Sequence, residues 1–428
     1  MSDLRDAFLL YIFIELGFVI IWVCRISKEF HMKAKKIVLG IIFAIVALVL
    51  IACIAFACVF NKEISTVSSV KTITGSDSEG NKPVVSFEYN NNYYFDDFLA
   101  QGGVNSNEEL INFAVNKLTR GLVNLNIEPG SLKMGCTTFS ARTSAGDKLF
   151  ARNYDFAQAG IAVVKTAPEG DHKSIGVVDM SKIMIKPEGN DLSLSQKAFL
   201  LLSPYACMDG INDAGLSCSI LMSRQGKDPS IEESPSVGTD TQTPNIDLTA
   251  TTFIRILLDK ASTVEEAVAI AENIDMHEFA FSSFHYAVAD AKGNSAIIEW
   301  VGQDSAHDKD GANRHLSVVY NQPGKNYLVA SNCISTPNYY GNATNIYGQD
   351  RIATVEKQLS PTNGILSNTD QALSILQSVG RRYHKEFGGS EDEVTLYSCI
   401  YDLTNHKLIL VDNEKFNDPD HKFVFTLD

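Results

Sequence analysis

Residues 134–156 read MGCTTFSARTSAGDKLFARNYDF. Cys136-Thr137-Thr138-Phe139 opens a β-favouring run, Gly146-Asp147 signals a turn, and Lys148–Phe156 reads as a returning strand. The stretch therefore predicts a β-hairpin. Downstream, DGINDAGLSCSILM (209–222) is a turn leading into a strand. SSFHYAVADAKGNSAIIEW (282–300) and LYSCIYDLTNHKLILVD (396–412) predict two further hairpins. Helical periodicity stands between them over Leu248–Lys260 with Val264–Asn273, and over Asp350–Leu359 with Asp370–Arg382. Antiparallel strand pairs with grouped helices predict a layered α+β domain.

Upstream of the hairpin the chain changes character. Ile37–Phe60 is 24 residues without a charge, enough for a helix to cross about 30 Å of hydrocarbon. Ala7–Cys24 is a second apolar stretch, interrupted by Glu15. The Lys/Arg-rich segment Arg25–Lys36 between them is expected to stay cytoplasmic, which places everything after Phe60 on the extracytoplasmic face of the cell membrane. From Met32 the sequence also reads as an export signal, and Leu50-Ile51-Ala52-Cys53 resembles a lipoprotein processing box. Residues 61–82, rich in Ser and Gly, predict a flexible linker. Residues 83–135 form a separate block in which Ser106 or Asn107 caps a helix lined by Leu110, Phe113, Ala114 and Leu118.

The formal charge of −15 hides an asymmetry. The first sixty residues carry +2, so the remainder carries −17, and such a body repels the phosphates of nucleic acid. Outside the apolar segment remain Cys136, Cys207, Cys218, Cys333 and Cys399, scattered and odd in number, which fits no disulfide framework. No CxxC or paired His/Cys spacing predicts a metal, and no cofactor is expected.

An arbitrary exported cysteine is most often a small buried hydrophobe. A papain-like reading of Cys136 with His285 fits the spacing, but such a cysteine opens a helix, whereas Cys136 opens a β run. A third reading absorbs more residues. MGCTTFSARTSAGDKLFARNYDF resembles the start of the catalytic domain of N-terminal nucleophile (Ntn) hydrolases of the choloylglycine hydrolase group. That group includes bile salt hydrolases, penicillin V acylases, acid ceramidase and N-acylethanolamine amidase. The resemblance runs in order through Arg152-Asn153-Tyr154-Asp155, DGINDAGLS, SSFHYAVADAKGNSAIIE, LVASNC (328–333), YGQDRIATVEKQL (347–359) and LYSCIYDL.

It implies a four-layer αββα sandwich of antiparallel sheets over 136–428; the membrane anchor and the block 83–135 before it depart from bile salt hydrolases, and the block is expected to be a pro-segment as in acid ceramidase and N-acylethanolamine amidase. It further implies self-cleavage between Gly135 and Cys136, which leaves Cys136 as nucleophile and its new α-amine as base. Arg152 and Asp155 are assigned to the cluster around the Cys136 amine and thiol. The Asn332 side-chain amide and the Asn212 backbone N–H are assigned to the oxyanion, and Arg351 to electrostatic support. The implied activity is hydrolysis of the linear C–N bond of a small N-acyl amide; acyl transfer and an inactive cell-surface binding scaffold are the competing readings. The cleaved pro-segment is an expected non-covalent partner.

Overall fold

The computed structural model describes residues 32–89, 92–123, 135–225, 238–278, 282–382, 384 and 393–427. The chain divides into two units, residues 1–70 and 71–428. In the first, α1 (Met32–Val59) and α2 (Asn61–Ser68) are helices. The Ile41–Val59 part of α1 is long and apolar enough to cross a membrane, with Ile41, Phe43, Ile45, Ile51, Ile54 and Phe56 exposed. A signal sequence shares that length and composition. Ala7–Cys24 lies outside the described residues.

The second unit is built on two large sheets. The strands, in chain order, are β1 (Lys71–Thr74), β2 (Val84–Tyr89), β3 (Gly135–Thr143), β4 (Lys148–Ala157), β5 (Ile161–Thr166), β6 (Ser174–Asp179), β7 (Asp209–Asn212) and β8 (Ser217–Ser223). Then come β9 (Ile246–Thr249), β10 (Ile274–His277), β11 (Ser283–Ala289), β12 (Ser295–Val301), β13 (His315–Tyr320) and β14 (Val329–Ala330). β15 (Ile365–Leu366), β16 (Glu393–Asp402), β17 (Lys407–Asp412) and β18 (Lys422–Thr426) complete the set. One sheet has the order β1-β2-β5-β6-β7-β8-β11-β12-β13; the other runs β14-β3-β4-β16-β17-β18, with β15 beside β3. The three predicted hairpins are β3–β4, β11–β12 and β16–β17.

Helices cover the outer faces. α3 (Phe95–Ala100), α4 (Asn107–Thr119) and α5 (Leu194–Phe199) precede α6 (Ala250–Lys260) and α7 (Val264–Ala271), which lie on the nine-stranded sheet. α8 (Gln349–Leu359) and α9 (Thr369–Gln377) lie on the other. The period of two decides the layering. Phe139, Ala141, Leu149, Ala151, Ile400 and Val411 point outward and pack against Val355, Leu359, Leu373 and Leu376 of α8 and α9. The alternate positions face the other sheet and include polar pairs among apolar residues such as Phe150 and Leu410: Ser140 Oγ meets Ser295 Oγ at 2.9 Å, and Arg152 pairs with Asp209 at 2.9 Å.

Three expectations need correction. The sheets are mixed rather than antiparallel, since β2–β5, β3–β15 and β9–β10 are parallel. Residues 61–82 are not a flexible linker: 61–68 is helical, and 71–74 pairs with β2. Residues 83–135 are not a separate block, because β2 lies between β1 and β5 within the larger sheet. β5 is an apolar strand that pairs in parallel with the distant β2 on one side and antiparallel with the next strand, β6, on the other. The helix of the 83–135 block does form as α4, capped by Ser106 Oγ at the Glu109 N–H.

Candidate active site

Cys136 enters at the start of β3 on the face turned to the other sheet, and none of it is exposed. Its thiol donates to the Ile220 carbonyl of β8 (3.8 Å) and receives an N–H from Arg152 Nη2 (3.5 Å). Arg152 is carried by β4, the other arm of the hairpin, and is held by Asp209 of β7. Asp209 accepts the hydroxyls of Tyr397 (2.6 Å) and Tyr401. A buried guanidinium is tolerable only when so paired. Burial pushes the Cys136 thiol up to about 11, with Arg152 drawing it down only in part. In the intact chain the sulfur is therefore protonated at neutral pH.

Asn332 follows β14, the strand beside β3. Where the ladder would supply a carbonyl, its side-chain Oδ1 accepts the Cys136 N–H (2.9 Å) and Arg351 Nη2 (2.5 Å), while Nδ2 donates to Met222 O (2.7 Å). Arg351 reaches in from the first turn of α8. Its Nη1 donates to Cys136 O (2.8 Å), Thr137 Oγ1 (3.2 Å) and Asp155 Oδ2 (3.2 Å). Ser331 Oγ also donates to Cys136 O (2.9 Å).

Asp155 is three residues from Arg152 on one strand, so it faces the opposite side. Rather than touching the thiol, it accepts Thr395 Oγ1 (2.7 Å) and Arg351, and lies against Gly135. A Cβ on Gly135 would stand 2.5 Å from Arg381 Nη1 and 2.9 Å from Asp155 Oδ2, so any larger residue before Cys136 would displace those side chains.

Asn212 is the expectation that fails. Its N–H donates to Leu216 O (2.9 Å), and its Oδ1 accepts the N–H groups of Ala214 and Leu216. Its amide ties down Leu258 O and Ala261 O at the end of α6. It is a turn and capping residue away from the sulfur. Strand β8 offers the better donor. Ile220 N–H points to Met208 O, and along the same edge the Ile220 and Met222 carbonyls receive the Cys136 thiol and the Asn332 amide. Strand alternation turns the Met222 N–H to that gap as well. Asn212→Ala is expected to cost about 1–3 kcal/mol of stability through its buried amide bonds. Turnover at saturating substrate should be unchanged; denaturant melts beside kinetics check this, and a collapse of turnover with unchanged stability would return Asn212 to the site.

His285, the partner in a papain-like reading, has both ring nitrogens committed, to Glu299 Oε2 (3.1 Å) and Ser331 O (2.7 Å). It braces the segment that presents Ser331 and Asn332. Five residues around Cys136 escaped sequence reasoning: Asp209, Met222, Arg381, Tyr397 and Tyr401. Asp209 sits inside a turn signal and Met222 acts through its backbone, so neither has a side-chain signature.

A model of the family described as acyl-coenzyme A:6-aminopenicillanic acid acyl-transferase matches residues 142–415. The chain belongs to that family. The family match takes in Arg152, Asp155, Met222, Asn332 and Arg351 and begins after Cys136. By structure the chain is similar to a variant of conjugated bile acid hydrolase from Clostridium perfringens, at 14% identity over 68% of this chain and 97% of that one, TM-score 0.43. It is also similar to penicillin V acylase from Agrobacterium tumefaciens, at 15% identity over 65% and 83%, TM-score 0.42. No curated protein matches it.

Proposed function

We propose that the protein is a membrane-anchored amide hydrolase activated by cleavage between Gly135 and Cys136, acting outside the membrane on a small N-acyl amide. The observation that carries the reading is the placement of Cys136. Its sulfur is 3.5 Å from the Arg152 guanidinium, and its nitrogen is held by Asn332, itself fixed by Arg351.

In the intact chain that nitrogen is an amide and no base. The sulfur adds to the Gly135 carbonyl, the carbon–nitrogen bond breaks as the thiol proton passes to the departing Cys136 nitrogen, and water hydrolyses the resulting thioester. Gly135 leaves as a carboxylate and Cys136 gains a free α-amine, whose ordinary pKa is about 7.7–8.0. The amine takes the thiol proton, and Arg152 favours the resulting thiolate. The thiolate adds to the substrate carbonyl, whose oxyanion is met by the Met222 N–H and the Asn332 amide. The ammonium returns its proton to the departing amine. Water admitted to the site then hydrolyses the acyl-cysteine.

Acyl transfer is the second reading, favoured by the description of the matched family. In it, an amine replaces water in the last step. Intact-mass and N-terminal mapping of active, purified protein should find a chain beginning at Cys136. A series of N-acyl amides, with and without added amine acceptors, then separates hydrolysis from transfer. An active preparation uncut before Cys136 would sink the mechanism.

A further inference from the structure

Away from Cys136, the short parallel pair β9–β10 gathers a second set of chemically able side chains. Its register sets Asp247 directly opposite Asp275, with His277 two residues further along the same face of β10. Like charges opposed on neighbouring strands weaken pairing unless something offsets them. Asp247 Oδ1 and Asp275 Oδ2 stand 3.1 and 3.4 Å from the same imidazole nitrogen, His277 Nε2. The other nitrogen, Nδ1, faces Asp240 Oδ1 at 3.2 Å. Asp275 is only 3% exposed. Thr241 Oγ1 satisfies its Oδ1 at 2.6 Å, and among the described residues only the His277 ring approaches its Oδ2.

A metal-bound histidine commonly shows this arrangement, with one ring nitrogen donating to a carboxylate and the other left with its lone pair for the ion. Donors about 2.0–2.2 Å from a divalent ion lie about 3.0–3.5 Å from one another, which matches the 3.1 and 3.4 Å from His277 Nε2 to the two carboxylates. The three ligand atoms all fall within 4.8 Å of each other. One imidazole and two carboxylates suit a first-row divalent ion such as Zn²⁺.

We propose that His277 Nε2, Asp247 and Asp275 bind a divalent transition-metal ion, with Asp240 orienting the imidazole. The placement gives the ion a structural task. The Asp247 backbone is clasped by chain that precedes the cleavage point: Val104 N–H donates to Asp247 O (3.1 Å), and Asp247 N–H donates to Gly102 O (3.0 Å). Gly103, at φ +75°, passes so close that a Cβ there would lie 1.8 Å from Asp247 O. The ion thus ties β9 to β10, and the β9 backbone in turn holds the 102–104 segment.

Full-length protein freed of metal by a chelator and titrated with Zn²⁺ should take up one equivalent, and its Tm should rise. Asp247→Asn and His277→Asn should weaken uptake more than about 100-fold; Asp247→Asn leaves the backbone clasp intact. Co²⁺ in the unaltered protein should give visible d–d bands of a nitrogen and oxygen site without a sulfur charge-transfer band. No uptake by the unaltered protein overturns the proposal, as does uptake that survives both substitutions or carries the sulfur band.

Discussion

Cys136→Ala is expected to leave a single uncut chain without amide-hydrolysing activity. Nucleophile and base disappear together, so kcat/KM should fall at least about 10⁴-fold. The fold should survive, because the sulfur makes only long contacts, to Arg152 Nη2 at 3.5 Å and Ile220 O at 3.8 Å. Intact mass reads the cleavage, an N-acyl amide assay reads the chemistry, and thermal unfolding verifies the fold. A variant still cut after Gly135 would move the cleavage to a separate protease. A variant that is uncut yet active would remove Cys136 from catalysis altogether.

Residues 136–428 expressed alone are expected to be insoluble. β2 pairs along the whole of β5, and β5 is built of Ile161, Ala162, Val163 and Val164, all fully buried. Without β2 this strand becomes an unprotected apolar edge. The same segment supplies Tyr89, Tyr93, Phe95, Phe98 and Phe113, which pack on one another and on Tyr205. Tyr93 also donates to the buried Asp259 at 2.7 Å. Each ring contributes about 1.5–3 kcal/mol by its burial, and five together rival the 5–15 kcal/mol of a typical domain. Co-expression of residues 71–135 should restore soluble protein. In membranes, the cleaved catalytic part should resist a native wash and leave only under denaturant. A soluble, monodisperse 136–428 would refute the dependence.

What was legible in the sequence was local. The hairpins around Gly146, Lys292-Gly293-Asn294 and Thr404-Asn405-His406 announce themselves through alternation and turn residues, and they form. Cys136, Arg152, Asn332 and Arg351 do come together, across as many as 215 positions of chain. Parallel partners were not legible, because β2 and β5 share no turn that could betray them. Asn212 misled because an Asn before Asp-Ala-Gly looks the same whether it serves a turn or an oxyanion, and here it serves the turn. Of the Asp240, Asp247, Asp275 and His277 group only Asp275 and His277 are close in sequence; the β9–β10 register brings Asp247 to them, and a bridge from Asp240 to His277 completes it.

Arg351 has one more consequence. It grips the Cys136 carbonyl from a helix made 215 residues later, and Asn332 holds the Cys136 nitrogen from 196 residues away. A chain still emerging from synthesis has neither grip, so its sulfur has no reason to meet the Gly135 carbonyl. Under the proposed mechanism, severing the backbone would become a timer that starts only when the last layer has docked. The fraction of chains cut would count the fraction that finished folding, and a misfolded molecule would stay whole and silent.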